Sequence, residues 1–305
     1  MIVSAQCRRS ITRGLEARGN KMYATLFLCC VLFGQDPEQS PGDSLTSMNA
    51  QWRPILDGVA AEYDLTRATD NARLERQNWS VYKWARPGSQ GGNYGDIYVW
   101  TNRGNAEAIA CFWRAPVDNG KFVIYHEMHS LSPSVLKSSR PGPHQWTTKE
   151  GLQRRLVAGA PAPASTPVVR LRQMREMSRN FAAYSLSSRD ERTELRLLPQ
   201  PLFRYQSSNP SVVDGALFAF VCSVGTDPEI FLLLEASATE NGPKWQYALV
   251  RFSHLNLYVR YKDRDIWEAI RDEQNPLSHN AARTYWLFSE PFDSKLLKPK
   301  AVDSQ

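Results

Sequence analysis

The segment from Tyr125 to Ser132 carries two histidines and one glutamate, and His144 follows fifteen residues after His129. Neutral imidazoles and carboxylates are natural zinc ligands. In a strand, however, His126 and His129 point to opposite faces, and the helical zinc motif needs one more residue between its histidines. We therefore expect no metal at this segment.

His126, Glu127 and His129 could instead act as acid and base groups in a cleft, because imidazole titrates near neutral pH. No companion nucleophile is identifiable, since the sequence has no Gly-x-Ser-x-Gly elbow. Cys111 and Cys222 are the only cysteines after the first 34 residues, so at most one disulfide is available; because both lie in apolar runs, two buried thiols are the alternative.

Three further sets of residues are candidates for a site. Glu107 and Glu229 would form a carboxylate pair if a pseudo-twofold axis brought them to one cleft. Basic residues on a predicted helix suit an anion, and exposed aromatic residues suit sugar rings. These ligand-binding candidates are Arg172, Arg175, Arg179, Trp84 and Trp100.

The elements that position these residues show an internal repeat with an offset of about 121 residues, between residues 79–148 and 200–269. Tyr82-Lys83-Trp84 matches Phe203-Arg204-Tyr205 in type and order. Gly95 matches Gly215, and Glu107 matches Glu229. The shared order of these pairs indicates a duplication.

Each copy reads as a four-stranded meander, because short β-branched and aromatic runs alternate with turn signals such as Asn102-Arg103-Gly104-Asn105. Between the copies, Thr166-Pro167 starts a helix predicted over about residues 167–184. The predicted fold is α+β and mainly antiparallel β, with two related four-stranded meander units joined by a crossover helix.

The N-terminus differs from the rest of the chain. Five basic residues precede a twelve-residue apolar run that ends at Gly34, an order typical of a signal peptide. We assign residues 1–34 to a signal peptide or N-terminal anchor, 35–50 to a polar linker, 51–274 to the duplicated domain and 275–305 to a C-terminal tail. No further transmembrane segment is expected.

The net charge of +6 falls to +2 for residues 35–305, because the leader holds five basic residues and one acidic residue. This balance does not favour nucleic acid as a partner. No sequence pattern indicates a cofactor.

Three segments, residues 126–132, 197–202 and 214–220, resemble a family of bacterial exported proteins with no assigned activity. The resemblance covers roughly residues 55–270 and implies a periplasmic, cell-envelope or secreted location. We expect a non-catalytic module that binds a ligand or partner, with an envelope component or a polysaccharide as the candidate partner. The alternative is a hydrolase that acts through His126, Glu127 and His129.

Overall fold

The computed structural model describes residues 41–86, 92–117, 121–206, 208, 211–223, 225–273 and 280–292. The leader and most of the predicted linker lie outside these ranges. The helices are α1 (Pro41–Ala61) and α2 (Pro167–Ser178). The strands before α2 are β1 (Asp64–Arg67), β2 (Glu75–Arg76), β3 (Tyr82–Arg86), β4 (Asn93–Asn102), β5 (Asn105–Pro116), β6 (Phe122–Ser130), β7 (Leu136–Ser139) and β8 (Arg155–Leu156). The strands after α2 are β9 (Phe181–Leu186), β10 (Arg192–Leu197), β11 (Phe203–Tyr205), β12 (Val212–Val221), β13 (Pro228–Ser237), β14 (Lys244–Arg251), β15 (Asn256–Tyr261), β16 (Arg264–Ala269) and β17 (Tyr285–Phe292).

These strands form two main antiparallel sheets. The first sheet has the order β17-β6-β5-β4-β2, and β3 also pairs with β4. The second sheet has the order β16-β15-β9-β10-β12-β13-β14-β8, and β11 also pairs with β12. Strands β1 and β7 form a separate pair. The prediction of a mainly antiparallel β fold with α-helical additions is confirmed.

The core has three layers. The middle layer lies between the sheets, where Ile97 and Ile109 of the first sheet meet Leu217 and Leu233 of the second. The outer face of the first sheet packs against Trp52 and the other buried residues of α1. The outer face of the second sheet packs against Met174 and Met177 of α2. Side chains on both faces of each sheet are therefore buried, because one face packs against the other sheet and the opposite face packs against a helix.

Two stretches of the chain run through the same order of elements. Helix α1 precedes β1 to β7, and helix α2 precedes β9 to β15. In each stretch the first strand pairs with the last, the second and third pair with the fourth, and the fourth, fifth and sixth follow one another in the sheet.

The matched glycines occupy the same place in the two stretches. Trp84 pairs with Gly95 across β3 and β4, and Tyr205 pairs with Gly215 across β11 and β12. In both pairs the aromatic ring covers the glycine. A Cβ at Gly95 would lie 2.5 Å from Nε1 of Trp84, so no other residue fits there without displacement.

The ends of the predicted domain differ from the sequence assignment. Residues 41–50, assigned to the linker, belong to α1. At the other end, the tail contains β17, which pairs along its whole length with β6. Trp286 and Phe288 are buried against the helix side of the sheet, and this burial makes β17 part of the domain.

The predicted helix over residues 167–184 ends earlier, at Ser178. From Phe181 onward, alternate side chains are buried, as in a strand, and this stretch forms β9. Val168 near the start of α2 is exposed, whereas Met174 and Met177 are buried.

In the part of the chain that is described, no helix is both long enough and apolar enough to cross a membrane. Cys111 and Cys222 are both present as thiols.

Candidate ligand-binding site

A cavity of about 280 Å³ lies between the sheets at the end where β5 finishes and β13 begins. Strands β3, β5, β6 and β17 of the first sheet line one side. The start of β13 and the segment after β14 line the other. Its walls combine apolar and aromatic side chains with the acidic residues Glu127, Asp227 and Glu229 and with Arg86 and His254. A cleft with both kinds of group can bind a small ligand.

Glu127 lies on the inner face of β6, in the wall of this cavity. The hydroxyl of Tyr285 donates a 2.6 Å hydrogen bond to its Oε1. Burial raises the pKa of Glu127 to about 8, and the nearby acidic groups Asp227 and Glu229 add to the rise. Near neutral pH this carboxyl therefore holds a proton.

Glu229 faces the same cavity from the second strand position of β13. Burial raises its pKa to about 7, and Asp227 contributes to the rise, whereas a hydrogen bond with Ser185 opposes it. Its Oε2 is buried and has no hydrogen-bond partner among the described residues. Burying a carboxylate oxygen without a hydrogen-bond partner costs free energy, so the presence of Glu229 at this position needs a physical reason.

Asp227 and Cys222 flank the loop between β12 and β13. The backbone N–H of Cys222 donates to the carbonyl of Asp227 at 3.3 Å, which closes the loop. The Cys222 thiol donates to Asp227 Oδ1 at 2.9 Å. One ligand atom from each of Cys222, Asp227 and Glu229 lies within 4.8 Å of the others. The guanidinium of Arg86 stands 3.7 Å from Asp227 Oδ2.

Two tryptophans form the aromatic wall. The indole N–H of Trp84 donates to Cys111 Sγ at 3.0 Å, which fixes the ring. Trp113 lies 5.9 Å from Trp84 between ring centroids and stacks on Tyr125 at 4.0 Å. Trp84 is therefore the one ligand-binding candidate among the sequence-predicted residues that lines the cavity.

At the opposite end of the sheets, the acidic residues have basic partners. Arg67 stands 3.6 Å from Oε1 of Glu107. Arg154 forms a 2.8 Å ion pair with Glu235 and also donates to the carbonyl of Leu131. Burial raises the pKa of Glu107, but the charges of Arg67 and Arg154 oppose that rise. This end is filled by arginine side chains.

The predicted pair of Glu107 and Glu229 does not form one site. Glu107 lies six positions from Trp113 along β5, which is about 20 Å in an extended strand. The pair does not form because Glu107 lies near the start of β5 and Glu229 near the start of β13, at opposite ends of the packed sheets.

The two histidines of β6 lie on opposite faces of the strand. His126 faces the helix side, where its Nδ1 lies 2.8 Å from the Tyr63 hydroxyl and its ring stacks on Phe288. Burial lowers its pKa to about 3, and Arg140 adds to the fall. His144 stacks on the other side of this cluster, against Phe288.

His129 faces inward like Glu127, but its Nδ1 lies 2.7 Å from the carbonyl oxygen of Ser130. Burial lowers its pKa to about 4. Both histidines are thus neutral, buried and engaged in packing. Of the predicted catalytic candidates, Glu127 and Glu229 reach the cavity, and His126, His129 and Glu107 do not line it.

The predicted arginine surface on α2 is largely paired. Arg172 forms an exposed ion pair with Glu176, and Arg175 donates to Gln200. Arg179 caps the C-terminus of the helix through its backbone. Trp100 is 1% exposed within the core and does not line the cavity between the sheets.

The sequence did not indicate Asp227 or Tyr285 as site residues, and it indicated Cys222 only as a disulfide partner or a buried thiol. The spacing Cys222…Asp227-Pro228-Glu229 is a signal in hindsight, because a hairpin loop brings its two ends together.

No protein-family model, curated protein or solved structure matches the chain. The resemblance noted from the sequence stays a prediction.

Proposed function

We propose that the protein is an exported binding module whose site is the cavity lined by Glu127 and Glu229, and that its ligand carries positive charge. The observation behind this proposal is the contrast between the two ends of the sheets. At one end, Arg67 and Arg154 lie beside the buried Glu107 and Glu235. At the cavity end, Arg86 lies beside Asp227, but Glu127 and Glu229 form no ion pair with an arginine among the described residues.

The contrast gains force if the two stretches arose by duplication of a unit of one helix and seven strands. The common pairing scheme supports this origin, and it extends the repeat seen in the sequence to include the helix. In this comparison Ser185 is the equivalent of Arg67. Arg67 pairs with Leu136 of β7, and Ser185 pairs with Leu257, the equivalent leucine of β15.

The second arginine is also replaced. Strand β17 lies beside β6 as β8 lies beside β14. Leu287 pairs with Glu127, and continuation of the β8 register places Arg154 opposite the equivalent residue of β14. Leu287 therefore stands at the cavity end in the position that Arg154 has at the opposite end.

A carboxylate buried without a counter-ion must either hold a proton or receive a cation. A cationic ligand would supply the charge that Arg67 and Arg154 supply at the opposite end. Aromatic faces attract cations too, and Trp84 and Trp113 form one wall. The geometry thus favours a small cation or a ligand with a cationic group.

The exported location rests on the leader, which lies outside the described residues. An envelope component or a polysaccharide as partner likewise stays a prediction from the sequence.

Tryptophan fluorescence provides the test, because two indoles line the cavity. The full chain, treated with EDTA and dialysed, is titrated with tetramethylammonium chloride, with cobalt(II) chloride and, as a neutral probe, with glucose. Sodium chloride at equal ionic strength is the blank. We expect a saturable change with at least one cation and none with glucose.

The Glu127→Gln/Glu229→Gln double variant should lose this response. Glu107→Gln is the matched control, since it removes a buried carboxylate from the opposite end, and it should keep the response. A saturable response to glucose alone, or equal responses in the double variant and wild type, would contradict the proposal.

The second candidate, a hydrolase, keeps one observation in its favour: two buried carboxyls share a cavity beside an aromatic wall. Its original form through His126, Glu127 and His129 loses two of its three groups from the cavity. Turnover of chromogenic glycosides or esters that disappears in Glu127→Gln would support catalysis over simple binding.

A further inference from the structure

We infer that Cys222, Asp227 and Glu229 form a binding site for a divalent transition-metal ion of the zinc class. This inference rests on the proposed cation-binding function and names the kind of cation. It departs from the sequence expectation of no metal, which concerned the histidines of β6.

The three ligand atoms lie close enough for one ion after side-chain movement. They all lie within 4.8 Å of one another. A tetrahedral zinc ion holds sulfur at about 2.3 Å and carboxylate oxygen at about 2.0–2.2 Å, which places its ligand atoms roughly 3.4–3.7 Å apart. Closing a pair of ligand atoms from 4.8 Å to that spacing requires side-chain shifts of about 1 Å.

The unpartnered oxygen of Glu229 is the second observation. Its Oε2 is buried without a hydrogen bond among the described residues, and the whole residue is 5% exposed. Glu107 has a similar oxygen, but the Arg67 guanidinium stands 3.6 Å from its carboxylate. Glu229 has Ser185 in that place, which brings no charge. An ion at the site would supply the missing positive charge.

The sulfur ligand narrows the choice of metal. Thiolate favours zinc and its neighbours over magnesium and calcium, which prefer oxygen alone. Without an ion, the Cys222 thiol donates its proton to Asp227. When an ion binds, the sulfur releases this proton to solvent and coordinates the metal. Three protein ligands leave a fourth position open toward the cavity, as catalytic and ligand-binding zinc sites do.

Arg86 stands near Asp227 and would be repelled by an ion. Its side chain is 44% exposed, so it can turn into solvent, and it lies 3.7 Å from Oδ2, whereas the thiol contacts Oδ1.

The test uses cobalt(II), because thiolate ligation gives an intense charge-transfer absorption in the near ultraviolet. The EDTA-treated full chain is titrated with cobalt(II) chloride, and the bound metal is then displaced with zinc. We expect a saturable charge-transfer band at one equivalent that zinc abolishes.

Cys222→Ser should remove the band and weaken zinc binding by more than about 100-fold, since even outer-shell changes cost 10–100-fold. Cys111→Ser is the matched control, because this second buried thiol lies on the Trp84 side of the cavity. It should retain the band. Circular dichroism checks that each variant is folded, and Asp227→Asn gives a second ligand variant if Cys222→Ser does not fold.

The outcomes separate this inference from the proposed function. Absence of the band in the wild type, or its persistence in folded Cys222→Ser, overturns the metal site. A fluorescence response to tetramethylammonium in that case leaves the proposed function standing. Absence of both signals overturns both.

Discussion

Glu127→Gln should stabilise the protein at neutral pH and do so much less in acid. The glutamine keeps the size of the side chain and an oxygen that accepts the Tyr285 hydrogen bond. It removes the titration of a carboxyl that lies fully inside the fold. The effect of pH on stability therefore isolates the energetic consequence of burying this one acid.

The magnitude follows from the difference in proton affinity between the folded and unfolded chains. The pKa of Glu127 is about 8 in the fold and 4.5 in its usual state. Its contribution to stability is fully present below 4.5 and is lost as pH rises through 8, at about 1.4 kcal/mol per pH unit. At about pH 5 the loss is roughly 1 kcal/mol, and at about pH 7.5 it is roughly 4 kcal/mol.

Urea unfolding of the EDTA-treated wild type and variant at these two pH values measures the effect. The free energy of unfolding of the variant, relative to wild type, should rise by about 3 kcal/mol from the lower to the higher pH. Titrating groups that do not interact with Glu127 are common to both proteins and cancel. A difference that is the same at both pH values would show that Glu127 is not held protonated, and the reasoning from burial would be refuted.

Four further substitutions test other parts of the structure by denaturant unfolding. His126→Gln should reduce the acid sensitivity of the fold between about pH 6.5 and pH 3, because the unfolded chain takes up a proton that the buried imidazole refuses, at about 1.4 kcal/mol per pH unit; an unchanged slope would contradict this. Gly95→Ala should cost about 1–3 kcal/mol by forcing its Cβ against the facing indole of β3. Gly58→Ala in α1, where nothing lies within 4 Å of the new Cβ, should instead gain about 0.5–1 kcal/mol, and equal effects at the two sites would argue against the close contact. Arg154→Met should cost about 3–5 kcal/mol because it leaves Glu235 buried and unpaired, so a neutral result would show that the ion pair does not neutralise that end.

The strands and hairpins were predictable because their signals are local. The apolar and aromatic runs of β4 and β5 and the turn signal Asn102-Arg103-Gly104-Asn105 indicate that hairpin from the sequence alone. In the structure, Arg103 and Gly104 both have positive φ. The match of Gly95 with Gly215 was also readable, since each glycine is required by an aromatic residue that covers it.

The parts that sequence reasoning missed depend on contacts between distant segments. Strand β17 lies more than 150 residues from β6 along the chain, and nothing local distinguishes Trp286 and Phe288 from an apolar patch in a tail. The cavity likewise joins β6 to the β12–β13 loop across the space between two sheets. Glu127 and Glu229 become neighbours only through that packing, so their spacing in the sequence carries no signal.

The energetic asymmetry between the two ends bears on why the acids are present. If the two stretches descend from one unit, the cavity end has serine at the position of Arg67 and leucine at the position of Arg154. This difference alone would leave an acid at the cavity end without a counter-ion. Replacing that acid would then stabilise the fold. Yet Glu229 is present, and Glu127 adds a second acid where the equivalent strand has alanine at position 248. An arrangement that lowers stability by several kcal/mol at neutral pH is typical of residues retained for a ligand. This cost supports the proposal that the cavity end is a binding site.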